Sequence, residues 1–366
     1  MTTQSKNTTV KAVSFMMLIT LLGKVLGLVR DQMLAANYGN GMEASAFTIA
    51  SLMPRTFFDA IFASAISASF IPIFNEYLQK KGKKEAFALS NRFITLMGLV
   101  TLCMTLVGEV FAKEFVFLFA GGYSAETANL AAQLSRMVFP TMFFTGIAFS
   151  FVGILQSLDE FNVPAALSVA SNLVIVLYYI FFNDKFGVQG LAVAFLIGWA
   201  MQAVIQIPSM HKKGYRYRLD FHFRDEGLKK IGLLMLPVMV STWIQPINLV
   251  INTQFASHLE NGDAQVPALQ YANTLYTIIV GVFVLAIANL IFPKLSRMTE
   301  DSDKAFGQTV KVTLRSMMFF LIPMMVGLMA LSEPLVRLMY ERGDFDATGT
   351  MMAGTALCFF AVGMIG

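Results

Sequence analysis

The sequence is poor in the residues on which most metal, redox and acid–base chemistry depends. It has two cysteines and three histidines in 366 residues, and only 14% of its residues are charged. Cys103 and Cys358 stand singly inside apolar runs, which excludes a disulfide framework and a zinc signature and reads as two buried small hydrophobes. His211, His222 and His258 fall in loops or at a helix end, with no carboxylate or cysteine at ligand spacing. The sequence also lacks a nucleophile elbow and a phosphate-binding glycine loop, so no enzyme activity and no cofactor are expected. The scarcity of charge further excludes an ordinary water-facing surface. What is there instead is 56% hydrophobic residues, 34 Phe, 24 Met and a mean hydropathy of +0.63. That composition belongs to an integral membrane protein.

Apolar windows recur at 12–36, 44–75, 93–119, 127–157, 162–182, 187–209, 231–257, 266–292, 312–340 and 347–366. At about 20 residues per span these predict ten transmembrane helices in an all-α bundle. Lys24 and Arg30 interrupt the first window where the core of a cleaved signal would continue, so it reads as a retained span. The breaks fall into two sets. One is turn-rich: 37–41, 120–126, 182–187, 260–263 and 341–349. The other, with the N-terminal tail, comprises 79–84, 156–161, 211–230 and 294–304, and with Arg92 nearby holds seventeen Lys and Arg, against three in the first set with the nearby Lys113. The positive-inside rule places the N-terminus and the basic set in the cytoplasm, although the acidic 156–161 turn carries no vote. The 211–230 segment interleaves its basic residues with Tyr215, Tyr217, Phe221 and Phe223. Between spans, such a segment suits anionic lipid head groups rather than nucleic acid.

An internal repeat organises the spans. "SFIPIFNEYLQKKGKKEAF" 69–87 resembles "NLIFPKLSRMTEDSDKAF" 289–306, with Pro72 and Pro293 221 apart, and "EFVFLFAGGYSAET" 114–127 resembles "EPLVRLMYERGDFDAT" 333–348 at nearly the same offset. Two parallel halves follow: a six-helix lobe 1–210, a basic linking loop 211–230, and a second lobe 231–366. A complete second lobe would run to about residue 430, so the sequence is expected to be truncated, with its first four second-lobe helices present.

Charges inside spans are rare because each costs about 2.5–3.5 kcal/mol at mid-bilayer, and they usually face a bundle interior or a wet cavity. Lys24, Arg30 and Asp31 lie in the first span, and Arg55 and Asp59 in the second. Lys24 and Asp31, seven apart, share a helical face, which leaves Arg30 as the spare cation. Gly23 and Gly27 form a small-xxx-small pair that admits a neighbouring backbone. In the seventh span Gln245, Asn248 and Asn252 make one polar stripe, which reads either as glue between helices or as lining of the same cavity. Arg136, just inside the fourth span, suits helix packing or snorkelling as well as ligand contact.

"GKVLGLVRDQMLAANYGNGMEASAF" 23–47, "SFIPIFNEYL" 69–78 and "YANTLYTIIVGVFVLAIANLIFPKLSRM" 271–298 resemble the MurJ (MviN) lipid II flippases of the MOP exporter superfamily. The resemblance implies a two-lobed transporter of about fourteen helices around a cationic cavity, of which about ten are present here. It implies a lipid-linked anionic substrate moved from the inner to the outer leaflet of the bacterial cytoplasmic membrane. Other implied partners are anionic membrane lipids and cell-wall synthesis proteins, with no nucleic acid. Energy would come from a monovalent cation or from the membrane potential. Carried over by motif, the family's two basic residues of helix 1 fall on Lys24 and Arg30. The basic position of helix 2 falls on Phe58, with Arg55 one turn away as its substitute. The acidic position falls on Ser45, with Glu43 as the alternative. The basic residue usual after "YA" falls on Asn273 or Thr274, a departure that leaves the second lobe without its cation. Rival functions are export of another lipid-linked oligosaccharide and a non-transporting membrane scaffold.

Overall fold

The computed structural model describes residues 3–62, 66–296 and 303–365, with side chains at 15–62, 66–281, 307 and 311–364. The basic turn at 294–304, with Pro293 of the repeat, therefore falls largely outside the described residues. Among those residues the chain is helix, turn and an irregular stretch at 215–225, without a strand. The helices are α1 (Thr3–Tyr38), α2 (Met42–Ile61), α3 (Ile71–Lys80), α4 (Lys83–Val110), α5 (Ala112–Ala120), α6 (Ala125–Val138), α7 (Thr141–Ser157), α8 (Leu167–Phe181), α9 (Asn183–Val204), α10 (Ile207–Lys212), α11 (Glu226–Thr242), α12 (Ile244–Ser257), α13 (Gly262–Ser296), α14 (Asp303–Ala330), α15 (Ser332–Tyr340) and α16 (Ala347–Val362). Nine of the ten apolar windows fall on one of these helices or on an adjacent pair, and the 44–75 window covers α2 and the start of α3, with residues 63–65 outside the described ones. Seven spans among the described residues are long and apolar enough to cross a membrane, and the protein is a multi-pass membrane protein.

α4 shows why these helices need lipid. Phe93, Met97, Thr101, Thr105 and Gly108 are buried along one face, yet Leu99, Leu102, Leu106 and Val110 on the other are exposed. A helix apolar all round is stable only with a nonpolar medium outside it. Cys103 shares the outward face and is exposed, a correction to its expected burial; Cys358 is half-buried.

By contact the chain divides into two compact units. One contains the residues up to Met33 with Met42–Asp263, the other Leu34–Gly41 with the residues from Ala264 on. This division by packing falls at a different place from the division by repeat at 211–230. In the second unit the 37–41 and 341–349 turns lie together: Asp344 N donates to Ala36 O at 2.9 Å. Beside them Tyr271, Tyr340 and Phe345 form a fully buried aromatic cluster, with rings 5.0 to 6.1 Å apart.

In the first unit the turns also pair within their predicted sets. The 120–127 turn is held by the end of α12 and the start of α13. Gly121 N donates to Gln254 Oε1 (2.7 Å) and Gly122 N to Ser257 Oγ (3.1 Å), while Asp263 accepts from Ser124 N, Ser124 Oγ and Thr127 Oγ1 (2.7–3.0 Å). A Cβ on Gly122 would stand 2.1 Å from Ser257 O, so this approach requires glycine. Among the basic turns, Lys213 Nζ donates to Leu158 O (2.7 Å), which places the acidic 156–161 turn beside the basic loop. That loop is docked on the first turns of α4. The Arg92 guanidinium reaches both Asp220 and Asp225, Tyr215 Oη donates to Asn91 Oδ1 (2.7 Å), and the Tyr217 and Thr95 hydroxyls are 2.9 Å apart. Tyr215 is buried, with its phenol pushed up by burial, so of the four loop aromatics it is the one withdrawn from lipid. Asp225 also caps α11, accepting from Gly227 N and Leu228 N.

Two outcomes follow. The His222 backbone N–H and ring, then Arg92, hold the Asp220 carboxyl below the usual carboxylate range. A depressed folded pKa contributes stability above the unfolded value of about 4 that is lost as pH falls through the folded one. Limited proteolysis within 213–225 should therefore accelerate below about pH 4 and, in Asp220→Asn, already at neutral pH. Gly23 packs on α8, where an added Cβ would sit 3.0 Å from Ser168 Cβ. Gly23→Leu should cost about 1–3 kcal/mol of stability by overpacking, read as a lower Tm in detergent.

Candidate functional site

The first unit encloses a cavity of about 670 Å³ lined by α1, α2, α7, α8 and α9 and by the short 162–166 connection. Small residues open the way for it. Gly23 and Gly27 bring α1 against α8, with Asn172 Nδ2 3.3 Å from a Cβ placed on Gly27. Lys24, Arg30, Arg55 and Asp59 all line the cavity.

The helix 1 charges pair differently from the sequence expectation. Arg30 Nη2 and Nε donate to Asp31 Oδ1 at 2.7 and 3.0 Å, and Nη1 donates to Asn172 Oδ1 at 3.1 Å. Asn172, buried, passes its own Nδ2 to Gly23 O at 3.1 Å. Arg30 is thus the anchored cation. Lys24 makes no ion pair or hydrogen bond among the described residues and is the one left over. The helical wheel placed Lys24 and Asp31 on one face, but seven residues also separate them by about 10.5 Å along the axis, beyond a direct ion pair.

Arg55 Nε lies 3.4 Å from Asp59 Oδ2, one turn on, and both side chains are well exposed, at 65% and 42%. Such an i,i+4 pair is loose, and it leaves most of the five guanidinium donors to the cavity. Phe58 lines the cavity too, packed against Phe62 and Phe149 with ring centroids 5.4 Å apart.

Other expected site residues lie elsewhere. Glu43 is in the first turn of α2, exposed and outside the cavity. Ser45 is buried, donating to Asp263 O (2.6 Å) and accepting from Tyr123 Oη at its carbonyl (3.1 Å). Of the α12 stripe, Asn252 Nδ2 donates to Asn248 Oδ1 at 2.6 Å, and neither these residues nor Gln245 line the cavity. Both readings offered for the stripe required it to face inward, whereas Gln245 and Asn248 are exposed. Arg136 serves packing, its Nε donating to Glu109 O at 3.2 Å. No cluster able to hold a metal ion occurs among the described residues.

The sequence reading passed over Asn172, Trp199 and Gln202, all of which line the cavity. The signal for Asn172 was available: an amide in the apolar run "SNLVIVLYYIFF" is costly without a hydrogen-bond partner.

Comparison with known proteins gives a consistent answer. The family model described as "Lipid II flippase MurJ" matches residues 34–366. A probable lipid II flippase MurJ of Vibrio cholerae is 30% identical over 360 residues, covering 95% of this chain and 68% of the relative. The corresponding protein of Haemophilus influenzae is 29% identical, covering 95% and 71%. Among solved structures, lipid II flippase MurJ in an inward closed conformation superposes with a TM-score of 0.80 at 28% identity, covering 96% of this chain and 72% of that one. A multidrug MATE transporter of the MOP superfamily, inward-facing, gives 0.73 at 15% identity over 96% and 82%, a likeness of fold. The chain belongs to the MurJ lipid II flippase family and has the MOP-type helical transporter fold.

Proposed function

We propose that this protein carries lipid II, a sugar-peptide on undecaprenyl pyrophosphate, from the inner to the outer leaflet of the bacterial cytoplasmic membrane. The N-terminus and the basic loops face the cytoplasm. The observation that carries this reading is the cavity itself: three cations and one carboxylate line a chamber between membrane helices, and one of the cations, Lys24, has no ion-pair partner among the described residues. A pyrophosphate is the complement of that charge. Lys24 meets it as a compact ammonium and Arg55 as a fork of donors, while Arg30 adds field from a fixed position. Transport follows by alternating access, the cavity opening in turn to each leaflet. A cationic ligand would be repelled by Lys24.

The test is rescue of cells depleted of their own lipid II flippase. Lys24→Ala should abolish or severely reduce rescue at normal expression, and Lys24→Arg should keep it. Loss of a charge-assisted contact costs about 1.5–3 kcal/mol, or roughly 10- to 150-fold in substrate affinity. Because Lys24 has no protein partner among the described residues, its loss leaves the fold intact. Arg30→Ala should in addition lower Tm, since it orphans Asn172. Normal rescue by Lys24→Ala would sink the pyrophosphate role. Rescue of a different lipid-linked oligosaccharide pathway, without rescue of wall synthesis, would reassign the head group.

A further inference from the structure

The cavity is chemically divided. Every ionisable side chain that lines it, Lys24, Arg30, Arg55 and Asp59, comes from α1 or α2. The lining from α7, α8 and α9 has none; its polar members are amides, hydroxyls and an indole. Helix glue would pair those groups with each other, and some are paired: Gln202 Nε2 donates to Ser171 Oγ at 2.9 Å. Others are not paired. The Gln156 amide and the Ser168 hydroxyl make no hydrogen bond among the described residues, and the Trp199 indole N–H, itself buried, has no acceptor among them. Gln156 is half-buried and Ser168 exposed, and uncharged polar groups presented together on one cavity wall point to a ligand that bonds them.

The type of ligand follows from the type of group. An amide and a hydroxyl offer donors and acceptors at close spacing without charge, which suits neutral hydroxyls that are themselves both. The Trp199 ring adds a flat apolar surface, steadied by Phe195 at 5.7 Å, and such a surface suits the C–H face of a pyranose. This neutral wall adjoins the cations directly. Asn172 joins it to Arg30 through a 3.1 Å bond, and Ser168 lies against Gly23, next to Lys24. Resting on the pyrophosphate reading above, we infer that Gln156, Ser168, Trp199 and Gln202 form a saccharide subsite for the sugar attached to the substrate's pyrophosphate. The cations hold the lipid phosphate, and this wall distinguishes a glycosylated lipid from a bare one, because a site built to bond hydroxyls disfavours a ligand that lacks them.

The chain has two tryptophans, and Trp243, at the junction of α11 and α12, lies outside the cavity lining. The purified Trp243→Phe protein therefore reports on Trp199 alone. It would be titrated with undecaprenyl pyrophosphate, with the same lipid carrying a disaccharide, and with lipid II. Trp199 emission should respond to both sugar-bearing lipids and stay unchanged with the bare pyrophosphate. In a second arm, Gln156→Leu combined with Ser168→Ala should weaken binding of the sugar-bearing lipids about three- to tenfold and leave the bare lipid unaffected. Neither side chain has a protein partner among the described residues, so a purely structural role predicts no change. An identical Trp199 response to the bare lipid, or equal affinities in the double variant, overturns the subsite while the pyrophosphate reading stands. A response to lipid II alone assigns the wall to the peptide and overturns the saccharide. Failure of all three lipids to bind overturns both readings.

Discussion

The arrangement of the first unit depends on how one guanidinium is held. Arg30 is tied to the carboxylate next to it and to Asn172, which is tied in turn to the backbone of Gly23. A cation in this setting costs several kcal/mol if left alone, and an amide costs about 1–3 kcal/mol if half satisfied. The chain solves both with one network, and the network needs α1 and α8 in contact. Glycines at 23 and 27 allow that contact. Local charge, helix packing and the position of the cavity wall are thus one constraint, and Lys24 is left over because the network has no room for a second cation.

The α11–α12 pair illustrates the opposite regime. It is apolar enough to span a membrane, yet almost none of its most hydrophobic stretch is buried in the molecule. It is fastened at its two ends: at one by Asp225, through Arg92 and the cap of α11, and at the other by Gln254 and Ser257, on the backbone of Gly121 and Gly122. An element bonded at its ends and bare in its middle gains little from packing with its own unit. Polar end contacts of that kind are more readily exchanged than a buried apolar seam, which suits a helix that must move in a transporter.

Much of this was legible beforehand. The spans, the segregation of turns, the small-xxx-small contact and the cavity location of Lys24, Arg30 and Arg55 rest on cost rules that a linear sequence displays directly. Pairing was not legible, because a helical wheel gives angle and discards axial distance: it joined Lys24 to Asp31 across two turns and overlooked Arg30 folding onto its neighbour. The Gln245–Asn248–Asn252 stripe misled for a related reason. A polar stripe marks a face, but which surface that face meets is set by long-range packing. Glu43 and Ser45 came from a motif position, and both lie more than a turn before Ser51, the first residue of α2 that lines the cavity. Asn172 was less legible as a site residue because insertion cost marks charges more strongly than amides, although a buried amide also needs partners.

The cations in the cavity differ in how easily they can be recruited, and this bears on how a cavity can be both insertable and anion-binding. Three unpaired cations would cost about 7–10 kcal/mol on insertion scales. Arg30 is neutralised by a short bond to a half-buried carboxylate, so it contributes field but does not leave its place. Arg55 is held to Asp59 at 3.4 Å in an exposed i,i+4 geometry, which is worth about 0.3–0.5 kcal/mol. A phosphate oxygen offers a charge-assisted hydrogen bond of about 1.5–3 kcal/mol, which exceeds that pairing several-fold. Among the described residues Lys24 is therefore the one cavity charge without a counter-charge, and a second becomes available when a ligand draws Arg55 away from Asp59. Binding strength is held in reserve in a pair too weak to keep it, and the insertion cost stays near that of one cation.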